Sequence, residues 1–107
     1  GCPTYAADLA EAIMQIVVSH FNGNNAAGIF HYSNAGAITW FQFAQAIKEE
    51  AGLSTNILPI PSSAFPTPAK RPSYSVMDVQ DIATVFGVEL KPWKESLKYC
   101  LSSILLK

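Results

Sequence analysis

The sequence predicts an α/β fold, a small three-stranded sheet with about four helices. Three observations lead there. Apolar residues recur at helical spacing in separate stretches, short apolar runs lie between turn signals, and a proline-dense connection interrupts the chain past its midpoint. The order of elements reads helix, strand, helix, strand, loop, strand, helix, helix.

In the first helix, Thr4 is a candidate cap, Asp8 suits the positive end of the dipole, and Leu9, Ile13, Ile16 and Val17 supply the apolar face. Asn22 and Gly23 predict its end. Residues 28–33, Gly-Ile-Phe-His-Tyr-Ser, are short, apolar and aromatic and read as a buried strand. Thr39 followed three residues later by Gln42 is a capping-box pattern, which opens a helix through Phe43, Ala44 and Ile47 to a stop at Gly52. Residues 56–60 are the second candidate strand and residues 75–77 the third. Asp78 can cap a helix that carries Val79, Ile82, Val85 and Phe86 and ends at Gly87. Pro92 opens the last helix, where Trp93, Leu97, Cys100, Leu101 and Ile104 form a stripe.

Between them lie Pro59, Pro61, Pro66, Pro68 and Pro72, five of the seven prolines. That density forbids a helix and restricts the backbone of the connection. Inside it, Lys70 and Arg71 are framed by Pro68 and Pro72, with hydroxyls at Thr67, Ser73 and Tyr74. A guanidinium fork matches phosphate oxygens, so a diphosphate could dock here; a solvated cation pair on a stiff surface loop is the plainer reading of the same residues.

Other residue patterns point less far. Asp8 and Glu11 lie three apart on one helical face and could share a divalent cation at a contact between chains, or form a solvated acidic face. His31 inside a buried strand suggests a hydrogen-bonded core histidine or a titrating group, and His20 sits near a helix C-terminus. Trp40 and Phe41 could make a ring-stacking platform or pack in the core. Cys2 and Cys100 read as two free thiols, and with His20 and His31 as the only histidines no zinc spacing exists. The glycines at 1, 23, 28, 36, 52 and 87 never cluster as a dinucleotide-binding turn requires, and Tyr-x-x-x-Lys is absent. No catalytic constellation is legible.

Composition bounds the partners. With 107 residues the chain is one domain at most, and 50% hydrophobic against 14% charged residues supply a core. A net charge of -1 with no basic cluster beyond Lys70 and Arg71 argues against nucleic acid or a polybasic membrane contact, and no apolar run approaches a membrane span. Sparse cysteines fit a reducing, cytoplasmic setting. The start at Gly1 without an initiator Met reads as an internal point of a longer chain.

Four blocks then line up with a family. Residues 1–10 (Gly-Cys-Pro-Thr-Tyr-Ala-Ala-Asp-Leu-Ala), residues 28–34 with Thr39-Trp40-Phe41-Gln42-Phe43-Ala44, the loop 65–72 (Phe-Pro-Thr-Pro-Ala-Lys-Arg-Pro), and Trp93 with Leu97 closely resemble the C-terminal part of the dTDP-4-dehydrorhamnose reductases. These are extended short-chain dehydrogenases/reductases, and the resemblance covers essentially all of residues 1–107. It implies a C-terminal substrate-binding region of a Rossmann-type reductase that uses NADPH or NADH to make dTDP-L-rhamnose for cell-surface polysaccharide. The dinucleotide-binding domain and every catalytic residue would lie outside this sequence, leaving the isolated region inactive. By the same resemblance Arg71, with Lys70 and Tyr74, faces the dTDP-sugar, and the first helix and residues 29–32 pack on the absent Rossmann sheet. Exposed apolar surface of that kind also makes self-association, as a homodimer, an expectation. Two alternatives share the fold: a non-catalytic regulatory protein similar to the methionine adenosyltransferase beta subunit, and a related nucleotide-sugar reductase or epimerase.

Overall fold

The computed structural model describes residues 1–105, which form four helices, α1 (Ala6–Phe21), α2 (Trp40–Ala51), α3 (Gln80–Phe86) and α4 (Trp93–Leu105), with a short 3-10 turn at Ser62–Ala64. Their ends follow local chemistry. The Thr39 hydroxyl accepts from the Gln42 amide at 3.1 Å while the Gln42 side chain accepts from the Thr39 amide at 2.8 Å, a complete capping box. Gly52 and Gly87 end α2 and α3 in the left-handed region, with φ of 65° and 67°. Asp78 acts one residue outside the N-cap of α3, its carboxylate accepting from the Gln80 amide at 2.9 Å. Thr4 does not cap α1. Tyr5 is the N-cap residue, and Thr4 Oγ1 accepts instead from the Asn34 amide.

The expected three-stranded sheet is not there. Among the described residues no strand forms, and the nearest feature is one isolated parallel bridge between Ala35 and Pro92. The Ala35 amide donates to the Lys91 carbonyl at 2.8 Å and the Trp93 amide donates to the Ala35 carbonyl at 3.0 Å. The pairing does not propagate, because Trp93 already turns into α4. Pro59 lies inside the second candidate strand, where it has no N–H for a ladder. Residues 28–33, expected as a buried strand, are not buried throughout. Phe30 and Tyr32 pack inward while Ile29 is 90% exposed and His31 is exposed. An extended segment with one side against helices and no neighbouring strand makes no ladder.

Packing is in two helix pairs, α1 with α3 and α2 with α4. Ala12, Ile82 and Val88 centre the first, with Phe30 set edge-on against Phe86 at 4.9 Å between ring centroids. Ala46 and Leu97 are buried in the second. Burial of a residue such as Ile82 or Leu97 stabilises by about 1.5–3 kcal/mol. The apolar spacing on α1 splits into two faces: Asp8 and Ala12 are buried, with Ile16 packed on the core, whereas Leu9, Ile13 and Val17 face outward. The accessible area is 7900 Å², about a third more than the area–mass relation of monomeric proteins gives at 11.6 kDa.

The junction between the pairs is closed by small residues. Gly36 has φ of 113°, and a Cβ placed on it would lie 2.5 Å from Trp93 Cδ1, so only glycine lets the chain pass under the indole. Gly1 and Ile38 exchange backbone hydrogen bonds at 3.0 and 3.3 Å, which holds the first residues beside this junction.

Candidate functional site

The proline-framed loop carries the expected substrate-binding residues. The 3-10 turn starts it, with the Ala64 amide donating to the Pro61 carbonyl at 2.9 Å and the Phe65 amide to the Ser62 carbonyl at 3.1 Å. Farther along, Thr67 Oγ1 donates to the Ala69 carbonyl at 2.7 Å. Local hydrogen bonds and prolines therefore shape the loop rather than a packed core. Lys70, Arg71 and Tyr74 are all exposed, and neither cation forms a salt bridge among the described residues. The Arg71 guanidinium carbon lies 5.9 Å from the centroid of the Phe65 ring. Tyr74 stands apart, making neither ring contact nor side-chain hydrogen bond among the described residues.

A second constellation was not expected. Asp8 is 7% exposed, and its carboxylate accepts from Asn34 Nδ2 at 2.8 Å, from Lys91 Nζ at 3.3 Å and from the Ser96 hydroxyl. Asn34 is 1% exposed, and its Oδ1 accepts from the Tyr5 amide at 2.8 Å. Lys91 Nζ also donates to Glu11 at 2.5 Å. Burial alone would raise the Asp8 pKa, but the hydrogen bonds from Ser96, Asn34 and Lys91, with the Lys91 charge, hold it below the ordinary 3.8. Lys91 moves the other way, above its ordinary 10.5, chiefly through its hydrogen bond to Glu11 and against a desolvation cost, with Asp8 adding to the rise. The knot ties the first turn of α1 to residue 34 and to the first turn of α4. Its sequence signal was Asp8 itself, a carboxylate four residues before Ala12 and eight before Ile16 on the inward face. Asn34, Lys91 and Ser96 carried no such signal.

Of the Asp8 and Glu11 pair, Asp8 is buried and Glu11 is exposed, and the Lys91 ammonium lies between the two carboxylates, the position a divalent cation would take. His31 is on the surface rather than in a core strand. Trp40 is 76% exposed, which overturns core packing for it, and reaches Phe43 edge-on at 6.2 Å; Phe41 is half-buried. Cys2 and Cys100 are free and half-buried. Burial raises the Cys2 thiol above its ordinary 9.0 against a hydrogen bond with Ser33, the opposite of what an activated nucleophile needs. Tyr32 is also pushed up, by burial and by the Asp8 charge.

Gly52 and Gly87 terminate helices and Gly36 lies under Trp93, so none of the three opens a helix N-terminus to a pyrophosphate.

The fold is two helix pairs with an exposed, proline-framed cationic loop, and comparison with known proteins gives it a family. The family described as RmlD substrate binding domain matches residues 1–106, and the chain belongs to it. Among relatives, the chain is 38% identical to the spore coat polysaccharide biosynthesis protein SpsK of Bacillus subtilis over 92% of its own length and 32% of that protein's. It is 33% identical to a dTDP-4-dehydrorhamnose reductase of Sinorhizobium fredii, covering all of the chain and 38% of the relative. The crystal structure of a dTDP-4-dehydrorhamnose reductase from Clostridium acetobutylicum superposes with a TM-score of 0.87 at 32% identity, over 98% of this chain and 36% of that one. The chain therefore spans about a third of the length of the curated relatives it matches.

Proposed function

We propose that this chain is the C-terminal substrate-binding region of an NAD(P)H-dependent dTDP-4-dehydrorhamnose reductase, an enzyme that makes dTDP-L-rhamnose for cell-surface polysaccharide. The observation that carries the reading is the match to a substrate-binding family along residues 1–106. In this reading Arg71 and Lys70 meet the diphosphate of the dTDP-sugar and Tyr74 contributes a hydroxyl and a ring at the same face. Their exposure, and the lack of carboxylate partners for the two cations among the described residues, supports that role.

The cofactor and the groups that move hydride and proton are supplied outside this chain. The outward Leu9, Ile13 and Val17 face and the excess accessible area support packing of α1 against the rest of the reductase. Self-association of the full-length enzyme as a homodimer belongs to the same reading, and so does a cytoplasmic setting, with which two free thiols are in keeping. A divalent cation at Asp8 and Glu11 is left out of it, because Lys91 holds that position. The regulatory-subunit and epimerase alternatives gain nothing from the relatives named above.

The test is turnover. The full-length reductase containing this region, given dTDP-4-dehydrorhamnose, is expected to oxidise NADPH and form dTDP-L-rhamnose, while residues 1–107 alone oxidise none. Turnover of a different nucleotide sugar in its place would overturn the substrate assignment, and turnover by residues 1–107 alone would overturn the division of labour.

A further inference from the structure

We propose that Phe65 is a positioning residue that holds Arg71 ready for the substrate's diphosphate; this rests on the substrate-binding reading of the loop. The guanidinium carbon lies 5.9 Å from the Phe65 ring centroid, within cation–π range. The Phe65 backbone is held on both sides. Its amide closes the 3-10 turn on Ser62 at 3.1 Å, and Pro66 restricts it from in front.

An arginine on an open loop loses considerable rotamer freedom when it binds a ligand. Something on the protein must limit that loss beforehand. A carboxylate would restrain the guanidinium but would also consume its N–H donors and cancel its charge. An aromatic face restrains it differently, contacting the flat π surface while the edge of the fork, where all five N–H donors point, stays open to phosphate oxygens. Phe65 is 63% exposed and Arg71 forms no salt bridge among the described residues, so the pair has the arrangement of a charge held but not neutralised. Lysine at 71 would lose the forked array of donors, which makes Arg71→Lys a non-conservative change here.

The experiment is a double-mutant cycle in the full-length reductase with dTDP-4-dehydrorhamnose and NADPH. For Phe65→Leu the KM for the nucleotide sugar should rise about two- to five-fold, the range an exposed cation–π contact allows, with kcat and the KM for NADPH unchanged. Phe65→Tyr, which keeps the ring face, should restore the parent KM. Adding Phe65→Leu to Arg71→Ala should raise the KM no further than Arg71→Ala alone, because there is then no guanidinium to hold. An unchanged KM in Phe65→Leu, beside a raised one in Arg71→Ala, would overturn the positioning role and leave the substrate-binding reading standing. Equal effects of Phe65→Leu in both backgrounds would also overturn it. If neither single variant moves the KM, it is the substrate-binding reading of the loop that fails.

Discussion

Asp8 and Asn34, 26 residues apart, are joined by a 2.8 Å hydrogen bond in the buried centre of the molecule, and the other end of the Asn34 amide receives the Tyr5 backbone at the same distance. One asparagine thereby fixes both the entry to α1 and the carboxylate of its first turn. With Ser96 and Lys91 on the same carboxylate, the contact joins the α1–α3 pair to the α2–α4 pair through polar groups rather than a continuous apolar core.

Removing that carboxylate leaves several buried donors without an acceptor. For Asp8→Ala we expect a loss of about 2–4 kcal/mol in unfolding free energy, from the orphaned Asn34 and Ser96 donors. Chemical denaturation of the full-length protein measures it, and a loss within error of zero would mean that the knot is not a structural tie.

The same group gives a pH signature. The folded Asp8 pKa lies below its ordinary 3.8, so the stabilisation is complete above that value and is lost as pH falls through the folded one. Asp8→Asn should therefore show a shallower fall of melting temperature with acid than the parent between pH 7 and about pH 2. Lys91 runs the opposite way. Its folded pKa is raised above 10.5, so its contribution is present below that value and disappears as pH rises through the folded one. Identical acid limbs for parent and Asp8→Asn would contradict the assignment.

Two glycines differ in what they cost to replace. At Gly36 a Cβ meets the Trp93 ring on a backbone with φ of 113°, whereas at Gly52 the φ of 65° is the only obstacle and nothing lies within 4 Å. Gly36→Ala should destabilise by about 2–4 kcal/mol and Gly52→Ala by about 1 kcal/mol. Melting curves of the pair check the order, and equal shifts would remove the special status of the passage under Trp93.

Loss of the capping box on α2 is a smaller effect. Thr39→Ala should cost about 1 kcal/mol, read as a shift in denaturation midpoint with unchanged slope.

These predictions divide along what was visible in sequence. Thr39 with Gln42, Gly52, Gly87 and Pro92 set helix ends through neighbours a few residues away, so their roles were legible without a structure. The loop was legible too, since prolines act on their own and adjacent residues. Residues 28–33 have the composition of a strand, but a strand exists only with a partner, and the isolated bridge among the described residues falls outside them, at Ala35. Asp8 shares its helix face with Ala12 and Ile16, but its partners at 34, 91 and 96 come from distant parts of the chain, and nothing in a serine or a lysine marks which carboxylate it will meet. The exposure of Trp40 is not legible in sequence for a related reason: an aromatic after a cap says nothing about which way its side of the helix faces.

The central claim is that the loop bearing Arg71 binds the nucleotide sugar in a reductase. Its most direct test is the KM of the full-length Arg71→Ala enzyme for dTDP-4-dehydrorhamnose, measured by NADPH oxidation. We expect a rise of about tenfold, the scale of one charge-assisted contact to a phosphate, with the KM for NADPH unchanged. An unaltered KM for the sugar nucleotide would contradict it.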